Sequence, residues 1–299
     1  MAERHRPIRR TINREVLTMP EIDLDSPEVL RAVKSALDED IGSGDITTKL
    51  IVPEDSNCRA AIIAKERGVI AGLPIARMVF KELNRRVEFS ELKSDGDVVE
   101  PDEAVSEVSG PARAVLSGER VALNYVGRLS GIATTTREFV KAVEGIGVKI
   151  LDTRKTAPCL RVPDKYAVRV GGGTNHRMGL YDCILIKDNH IKTAGNVEHA
   201  IALVRERAQG DIKIEIEAAG IDEVKSALAA GADRILLDNM TPSMVREAMG
   251  LINGKAEAEV SGGVNLNNVR EYAQTGVDYI SIGYLTHSSP ALDVSLRML

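Results

Sequence analysis

The sequence predicts an α/β protein in two parts, a compact N-terminal α+β unit followed by a (β/α) barrel of TIM-barrel type with fewer than eight strands. Up to about residue 110, short strands and helices follow one another in no regular order. Beyond Gly145, apolar strands alternate with amphipathic helices. Successive strands there lie about 20 to 25 residues apart, which is the length of one βα unit. A doubly wound open sheet is the alternative architecture.

Composition excludes several classes of protein. A chain of 299 residues can bury a substantial core, and 43% hydrophobic with 28% charged residues is typical of a globular protein. A net charge of -5 and 3% aromatic residues argue against nucleic-acid binding, and no apolar run reaches the length of a membrane span. Cys58, Cys159 and Cys183 form no CxxC pair, which favours the reducing cytoplasm.

The N-terminal part shows clear boundary signals. Residues 1–24 form an Arg-rich leader without the apolar region of a secretory signal, and we expect this leader to be disordered or loosely docked. Ser26 followed by Pro27 predicts a helix start. Strands are predicted in CRAAIIAKERGVIAG, VEFSEL, DVVE and AVSEVSG, a helix in LPIARMVFKELN, and a long helix from Pro111 to about Glu144.

The second part contains six predicted strands, namely VKILD, YDCILIKD, IKIEIE, ADRILLDN, AEAEVSGG and DYISIGY. Two of them have the same entry, because AAGADRILLDN and AQTGVDYISIGY both run from a helix end through Gly, an apolar residue and Asp into the strand. A glycine that caps a helix and leads into a buried parallel strand explains this repeat.

Nearly every barrel strand ends in a charged residue or a Gly-rich turn. These endings are Arg154 and Lys155, Lys187 and Asp188, Glu217, Asp238, Ser261-Gly262-Gly263, and Ile282-Gly283-Tyr284. In a (β/α) barrel the carboxyl ends of the strands converge on one face, where active sites lie. The sequence therefore predicts one site built from these endings.

The residue types at these endings indicate the ligands. Arg154, Lys155, Arg177 and Lys187, with His176 beside them, suit carboxylates or phosphates. Glu217 and Asp238 supply hard oxygen ligands, and such a pair near bound phosphates indicates Mg²⁺. The turns EVSGGV and SIGYLTHS supply backbone N–H groups for a phosphate. The set predicts a phosphate-bearing substrate, a magnesium-bound polyphosphate and a carboxylate-bearing reactant.

Other chemistries fit parts of this set. Lys187 could form a Schiff base, which requires a desolvated amine. A zinc site from His176, His190 and a carboxylate has no HxxH or HxH spacing to support it. A non-catalytic phosphate-binding barrel accounts for Ser261-Gly262-Gly263 but leaves the cations and the acidic pair without a purpose.

Seven stretches, in chain order, carry a family resemblance: DEDIGSGDITT, SGERVALNYVGRLSGIATTT, LDTRKTAP, GGGTNHRMGLYDCILIKDNHI, ILLDN, SGGV and ISIGYLTHS. Together they closely resemble the quinolinate phosphoribosyltransferases, also called nicotinate-nucleotide pyrophosphorylases (carboxylating). The resemblance runs from about residue 25 to the C-terminus. It implies transfer of phosphoribosyl from phosphoribosyl pyrophosphate to quinolinate, with decarboxylation, Mg²⁺ and formation of nicotinate mononucleotide in NAD biosynthesis.

The resemblance also implies residue roles. Arg154, Arg177 and Lys187, with His176 nearby, would hold the two carboxylates of quinolinate. Lys155, Glu217 and Asp238 would act as the catalytic residues that engage the phosphoribosyl donor and its magnesium. The phosphate would be surrounded by Ser261, Gly262, Gly263, Ile282, Gly283 and His287, with Thr153 and Tyr284 as further substrate-binding residues. Arg120 would reach into the site of a neighbouring subunit.

The family's architecture is an open-faced α/β sandwich domain and an incomplete α/β barrel, assembled as a dimer or a hexamer. We therefore expect an N-terminal sandwich domain over residues 25–123 and a barrel domain over 124–287, with 288–299 packing back on the first. Two functional alternatives stay open: a paralogous enzyme acting on another heterocyclic carboxylate, and a phosphate-binding barrel without turnover.

Overall fold

The N-terminal part joins helices and short strands to a long helix. The computed structural model describes residues 22–208 and 212–299; residues 1–21 of the expected leader lie outside this range. The first elements are α1 (Pro27–Ile41), α2 (Ile46–Ile51), β1 (Asn57–Ala64), β2 (Gly68–Val69), α3 (Leu73–Leu83), β3 (Glu88–Glu91), β4 (Val98–Val99), β5 (Ala104–Pro111) and α4 (Ala112–Ala142). The predicted start of α1 is confirmed, because the Ser26 side chain accepts a hydrogen bond from the Val29 N–H and Pro27 begins the helix.

The second part alternates strands and helices. Its elements are β6 (Lys149–Leu151), α5 (Arg161–Val170), β7 (Ile184–Ile186), α6 (Asp188–Ala194), α7 (Val197–Arg207), β8 (Ile214–Ala218), α8 (Ile221–Ala229), β9 (Arg234–Asp238), α9 (Pro242–Ile252), β10 (Glu257–Ser261), α10 (Val269–Ala273), β11 (Tyr279–Ser281), α11 (Tyr284–His287) and β12 (Val294–Met298). Each of the six predicted barrel strands is present, most of them shorter than the apolar stretch that predicted it.

Two large sheets organise the described residues, beside a small antiparallel sheet formed by β2 and β4. A four-stranded antiparallel sheet has the order β12-β1-β5-β3, and a six-stranded parallel sheet has the order β6-β11-β10-β9-β8-β7. The parallel sheet is open between its edge strands β6 and β7, where only an isolated bridge joins Leu151 to Thr174. The predicted fold class, an N-terminal α/β sandwich domain followed by an incomplete barrel, is confirmed.

The C-terminal segment crosses α4 to reach the N-terminal sheet. A Cβ atom at Gly131 would lie 1.9 Å from the Pro290 carbonyl oxygen, and one at Gly127 would lie 2.9 Å from that of Leu292. These two glycines, one helical turn apart, allow the close approach. β12 then pairs with β1, with Ala64 opposite Val294. The helix α4 also packs on α3 and α5, so it holds the two parts together.

The repeated Gly-x-Asp entry has a structural purpose beyond the turn. Gly231 and Gly276 have φ values of 78° and 91°, in the left-handed region that favours glycine. The carboxylates of Asp233 and Asp278 accept backbone hydrogen bonds of 2.8 and 2.9 Å from the starts of the adjacent strands β8 and β10. The Asp of this motif therefore accepts a hydrogen bond from a backbone N–H at the amino end of the barrel. The predicted site lies at the opposite end.

Among the described residues, none of the helices has the length and apolar character needed to cross a membrane.

Candidate active site

A cavity of about 600 Å³ lies at the carboxyl ends of the barrel strands. All of the predicted site residues except Arg120 line it: Thr153, Arg154, Lys155, His176, Arg177, Lys187, Glu217, Asp238, Ser261, Gly262, Gly263, Ile282, Gly283, Tyr284 and His287. Asp188, the other charged strand ending, lies outside the lining and pairs with Lys192 at 3.0 Å on the surface. Parallel strands thus bring distant stretches of the chain to one place.

The two-residue period of a strand explains which side chains face the cavity. On β9, Leu236 and Asp238 line it, and on β10 Glu259 and Ser261 do so. The intervening residues Leu237 and Val260 are buried on the other face and belong to the hydrophobic core. The barrel interior is consequently polar near the cavity, while the outer face of the sheet is apolar.

Three cationic side chains, which we call the cation wall, line the cavity: Arg154, Arg177 and Lys187. The Arg177 guanidinium is largely buried and donates to the Cys183 carbonyl at 3.1 Å. Burial, and then the charges of Arg177 and Arg161, lowers the pKa of Arg154. In the described part of the chain the Arg154 guanidinium has no hydrogen-bond partner. An anionic ligand bound there would relieve the repulsion of Arg154 by Arg177 and Arg161.

The two carboxylates of the predicted donor half lie on adjacent strands. Glu217 Oε2 lies 3.4 Å from Lys187 Nζ, and Asp238 Oδ2 accepts a hydrogen bond of 2.8 Å from Asn239 Nδ2. The other oxygen of each carboxylate has no hydrogen-bond partner within the described ranges, so both can accept a ligand. The Lys187 side chain is 44% exposed and pairs with Glu217, an environment unlike the desolvated one that a Schiff-base lysine needs.

His176 is held by the protein at both ring nitrogens. Its Nδ1 accepts a hydrogen bond of 2.7 Å from the Arg177 backbone N–H. Its Nε2 lies 3.3 Å from Glu215 and 3.5 Å from Glu259. Because Nδ1 is an acceptor, the proton of the neutral ring is on Nε2 and points at the two carboxylates. Burial lowers the pKa of His176, but Glu259 and Glu215 outweigh it and the pKa is raised. A second proton on the ring would bind to Nδ1 and would break the hydrogen bond that Nδ1 accepts from the Arg177 N–H.

Beneath His176 lies a buried charged cluster, which consists of Glu215, Arg234, Glu259 and Ser281. Arg234 lies 3.4 Å from Glu259 and 3.9 Å from Glu215, and its guanidinium packs 4.1 Å from the centre of the Tyr279 ring. Ser281 donates a short hydrogen bond to Glu259. Burial, and then the charge of Glu215, raises the pKa of Glu259 to about 7.

The spacing of His176, Glu215 and Glu259 alone would permit a metal ion, because their ligand atoms lie within 4.8 Å of one another. Two observations favour hydrogen bonding instead: Nε2 carries the imidazole proton, and Arg234 already neutralises the carboxylates. His190 does not join any such group, since it is exposed and its Nδ1 accepts from the Lys187 N–H at 2.9 Å. Among the described residues, His176 and His190 are therefore not brought together as ligands of one ion.

The glycines of the late turns allow close packing around the cavity. Gly262 has φ 94°, and a Cβ there would lie 2.2 Å from Asn239 Oδ1. A Cβ at Gly283 would lie 3.0 Å from Lys155 Cδ and 3.1 Å from His287 Nε2. The side chains of Lys155 and His287 therefore both approach the backbone of Gly283, where a larger residue would crowd them.

Comparison with known proteins decides the family. A sequence model described as "Quinolinate phosphoribosyl transferase, C-terminal domain" matches residues 132–297, and one described as the N-terminal domain of the same enzyme matches residues 45–130. The chain belongs to the quinolinate phosphoribosyl transferase family. The resemblance seen in the sequence motifs is confirmed.

Individual relatives agree with this assignment. The chain is 47% identical over 258 residues to the probable nicotinate-nucleotide pyrophosphorylase (carboxylating) of Bacillus subtilis (strain 168), covering 86% of this chain and 89% of that protein. The nicotinate-nucleotide pyrophosphorylase structure from Francisella tularensis has a TM-score of 0.88 at 38% identity and covers 94% of this chain and 100% of that chain. The NadC structure from Streptococcus pyogenes also has a TM-score of 0.88, at 40% identity over 93% of this chain and 99% of that chain.

Membership of the quinolinate phosphoribosyl transferase family does not by itself locate Arg120. This residue lies on α4, is exposed, and is absent from the lining of its own chain's cavity. The expected domain boundary after residue 123 also falls inside α4, three residues beyond Arg120.

Sequence reasoning missed the cavity floor of this family member. Leu185, Leu236, Glu259, Val264 and Ser281 line the cavity, and Glu215 and Arg234 lie below it. The alternation in IEIE and RILLD was the available signal, because a strand that places Glu217 or Asp238 inward also places Glu215, Arg234 and Leu236 inward.

Proposed function

We propose that this protein transfers the phosphoribosyl group of 5-phosphoribosyl 1-pyrophosphate to quinolinate, giving nicotinate mononucleotide, pyrophosphate and CO₂ in NAD biosynthesis. The observation that carries the proposal is one cavity lined by a set of cations, an acidic pair and two glycine turns. Each feature fits one part of the two reactants, and the relatives bear the name of this enzyme.

The cation wall suits the quinolinate dianion. Arg154 and Arg177 offer planar forks for carboxylates, and Lys187 adds a point charge. Thr153 and His176 lie beside them on the cavity lining. We assign the two carboxylates of quinolinate to this wall because a bound dianion would offset the repulsion of Arg154 by Arg177 and Arg161.

Other residues of the cavity suit the phosphoribosyl donor. The side chains of Lys155 and His287 both approach Gly283, and the turn 261–263 lines the same cavity. We assign the phosphate to the turns that contain Ser261, Gly262, Gly263, Ile282, Gly283 and Tyr284, with His287. Lys155 is placed to neutralise the leaving pyrophosphate, and Glu217 and Asp238 face the ribose.

The charge distribution matches the reaction. The pyridine nitrogen forms a bond to the anomeric carbon of ribose while the bond from that carbon to pyrophosphate breaks. Positive charge develops on the sugar, where fixed carboxylates stabilise it, and negative charge develops on the leaving group, where cations do so. Loss of CO₂ then leaves its electrons next to the positively charged ring nitrogen, and a proton replaces the carboxylate. The protein mainly orients the reactants and excludes water.

Glu217 and Asp238 are also suited to Mg²⁺. Each carboxylate has one oxygen without a hydrogen-bond partner among the described residues and faces the cavity. Hard oxygen ligands of this kind bind Mg²⁺ together with substrate phosphates. Bound there, the ion would neutralise the charge on pyrophosphate. We therefore propose that these two residues hold a magnesium ion carried by the donor.

We further propose a two-fold symmetric dimer in which Arg120 of one subunit completes the site of the other. α2 exposes three apolar side chains, Ile46 at 71%, Leu50 at 81% and Ile51 at 74%. α2 adjoins the part of α4 that carries Arg120, since Ser117 donates to Asp45 at 2.9 Å. A second copy that covered this apolar surface would lie next to Arg120.

The proposal is tested by incubating the protein with quinolinate, phosphoribosyl pyrophosphate and Mg²⁺ and following the loss of quinolinate. We expect loss that depends on the donor and on Mg²⁺, with nicotinate mononucleotide as the product. An enzyme that ignores quinolinate and accepts nicotinate or another heterocyclic carboxylate would be the paralogue considered above. Donor binding without turnover would indicate a phosphate-binding barrel.

A further inference from the structure

Arg128, on α4, connects this helix to two loops of the active site without lining the cavity. Its Nε and Nη2 donate to the two carboxylate oxygens of Asp164 at 2.9 and 2.7 Å. Nη2 also donates to the Thr286 carbonyl at 3.0 Å. The Asp164 side chain is completely buried, so this is a bidentate pair in a desolvated place.

Asp164 extends the connection to the loop after β6. Its Oδ2 accepts a hydrogen bond of 3.0 Å from the Ala157 N–H, two residues beyond Lys155. Burial raises the pKa of Asp164, and its bonds with Arg128 oppose this rise. Arg128 thereby holds the carboxylate that fixes the end of the Lys155 loop.

Thr286 holds Lys155 directly. Its side chain is 1% exposed, and its Oγ1 donates to the Lys155 carbonyl at 2.8 Å. On the other side of the same residue, the Lys155 N–H donates to Thr153 Oγ1 at 3.1 Å. Both the N–H and the carbonyl of Lys155 are therefore bonded, and its side chain lies next to Gly283, as that of His287 does.

We propose that Arg128 and Thr286 are positioning residues that fix the main chain of Lys155 and join the loop after β6 to α11. The proposal rests on the function proposed above, in which Lys155 and His287 contact the phosphoribosyl donor. Since neither Arg128 nor Thr286 lines the cavity, both act on the donor half only through these neighbours. In the quinolinate half, Arg177 and Lys187 lie on other loops, and Arg154, which precedes Lys155, is held separately because its carbonyl accepts a hydrogen bond of 3.1 Å from Arg161 Nη2.

If these residues had a purely structural role, their replacement would lower the stability of the protein and would not affect the affinity for one substrate more than for the other. The test therefore compares the affinities for the two substrates. Thr286→Val removes the hydroxyl at nearly constant volume, and Thr286→Ser keeps it. Thr134→Val is the matched control, because the Thr134 hydroxyl also bonds within the protein, accepting from the Val69 N–H at 2.8 Å, but lies away from the cavity. Donor and quinolinate affinities are measured by calorimetry, kcat and KM by steady-state kinetics, and stability by thermal unfolding.

For Thr286→Val we expect donor affinity and kcat/KM for the donor to fall by about three- to tenfold, the size of one lost hydrogen bond, with quinolinate affinity unchanged. Thr286→Ser should restore donor affinity, and Thr134→Val should lose only stability. The positioning role is overturned if Thr286→Val binds the donor as wild type does, if it loses both substrates equally, or if the control loses donor affinity to the same degree.

Arg128→Lys supplies a second line of evidence, because it keeps the charge and removes the fork. If Arg128 and Thr286 act as one unit, the double variant Arg128→Lys, Thr286→Val should lose less donor affinity than the two single losses combined. If the double variant lost as much donor affinity as the two single variants combined, Arg128 and Thr286 would act independently. If the wild-type protein binds the donor but does not consume quinolinate, only the proposed function is overturned, because the donor affinities of the variants still decide the positioning role. If the wild-type protein does not bind the donor, both proposals are overturned.

Discussion

Lys165 and Asp152 form an ion pair whose two side chains are completely buried at the end of β6. Asp152 also accepts hydrogen bonds from Asn175 Nδ2 at 2.6 Å and from the His176 N–H at 2.8 Å. Lys165 donates in turn to the His176 carbonyl at 2.8 Å. Burial raises the pKa of Asp152 and lowers that of Lys165, and the attraction between them opposes both shifts. The pair holds together the two loops that carry Arg154 and Arg177.

The first prediction concerns this pair. Lys165→Met should lower the free energy of unfolding by about 3 to 5 kcal/mol, because Asp152 is left as an uncompensated buried charge. The double variant Asp152→Asn, Lys165→Met should lose less than the sum of the single losses. Chemical denaturation measures both. Lys192→Met, in the exposed pair with Asp188, is the control and should leave the free energy of unfolding nearly unchanged.

The second prediction concerns Arg154. Arg154→Ala should weaken quinolinate binding by about 2 to 5 kcal/mol, the cost of removing one partner of a desolvated charge pair. Arg154→Lys should not restore it, because the planar fork is lost. Calorimetry with quinolinate measures the effect, and unchanged affinity in the alanine variant would contradict the assigned role.

The third prediction concerns the acidic pair. Glu217→Gln and Asp238→Asn should each slow turnover and raise the Mg²⁺ concentration needed for half-maximal activity, because an amide is a weaker ligand for a hard cation. Quinolinate affinity should stay nearly intact. Asp222→Asn, in an exposed pair with Lys225 outside the cavity, is the matched control. If Asp238→Asn lost quinolinate and kept the donor, the two halves of the site would be interchanged.

The fourth prediction tests the shared site. Arg120→Ala and Lys155→Ala should each be nearly inactive alone. After subunit exchange, random pairing makes half of the dimers hybrid, and each hybrid has one site with both changes and one intact site. The mixture should recover roughly a quarter of wild-type activity, given two-fold symmetry. A mixture as inactive as its components, despite demonstrated exchange, would place Arg120 outside the partner's site.

The fifth prediction follows from the raised pKa of Glu259. An ordinary Glu titrates near 4.5, whereas Glu259 holds its proton up to a pKa of about 7 in the folded protein. Between these values the folded state binds a proton that the unfolded chain has released, so the contribution of Glu259 to stability falls as the pH rises.

Glu259→Gln, which stays neutral beside Glu215, His176 and Arg234, avoids this loss. Relative to wild type, the variant should gain on the order of 3 kcal/mol in unfolding free energy between pH 4.5 and pH 8. Denaturation curves at several pH values measure the difference. Parallel profiles for the two proteins would show that Glu259 is not the titrating group.

Local sequence patterns were sufficient to predict those helix starts and strands that depend only on a short stretch of the chain. Ser26 and Pro27 predicted the start of α1, the Gly-x-Asp repeat predicted two strand entries, and the apolar runs predicted all six barrel strands. The cavity lining followed from one further rule, that parallel strands end on the same face. Arg154 and Asp238 could therefore be assigned to one site although 84 positions separate them in the sequence.

The tertiary structure alone decided which polar residues support that site. Asp152 with Lys165, and Arg128 with Asp164, are joined across 13 and 36 positions by side chains that helices bring to the strand ends. Such pairs cannot be predicted from the spacing of residues in the sequence. A charged residue in a helix is expected to face solvent until the packing of that helix is known. Glu259 is a similar case: its raised pKa follows from burial beside Glu215, and that burial depends on the packing of the whole incomplete barrel rather than on one strand.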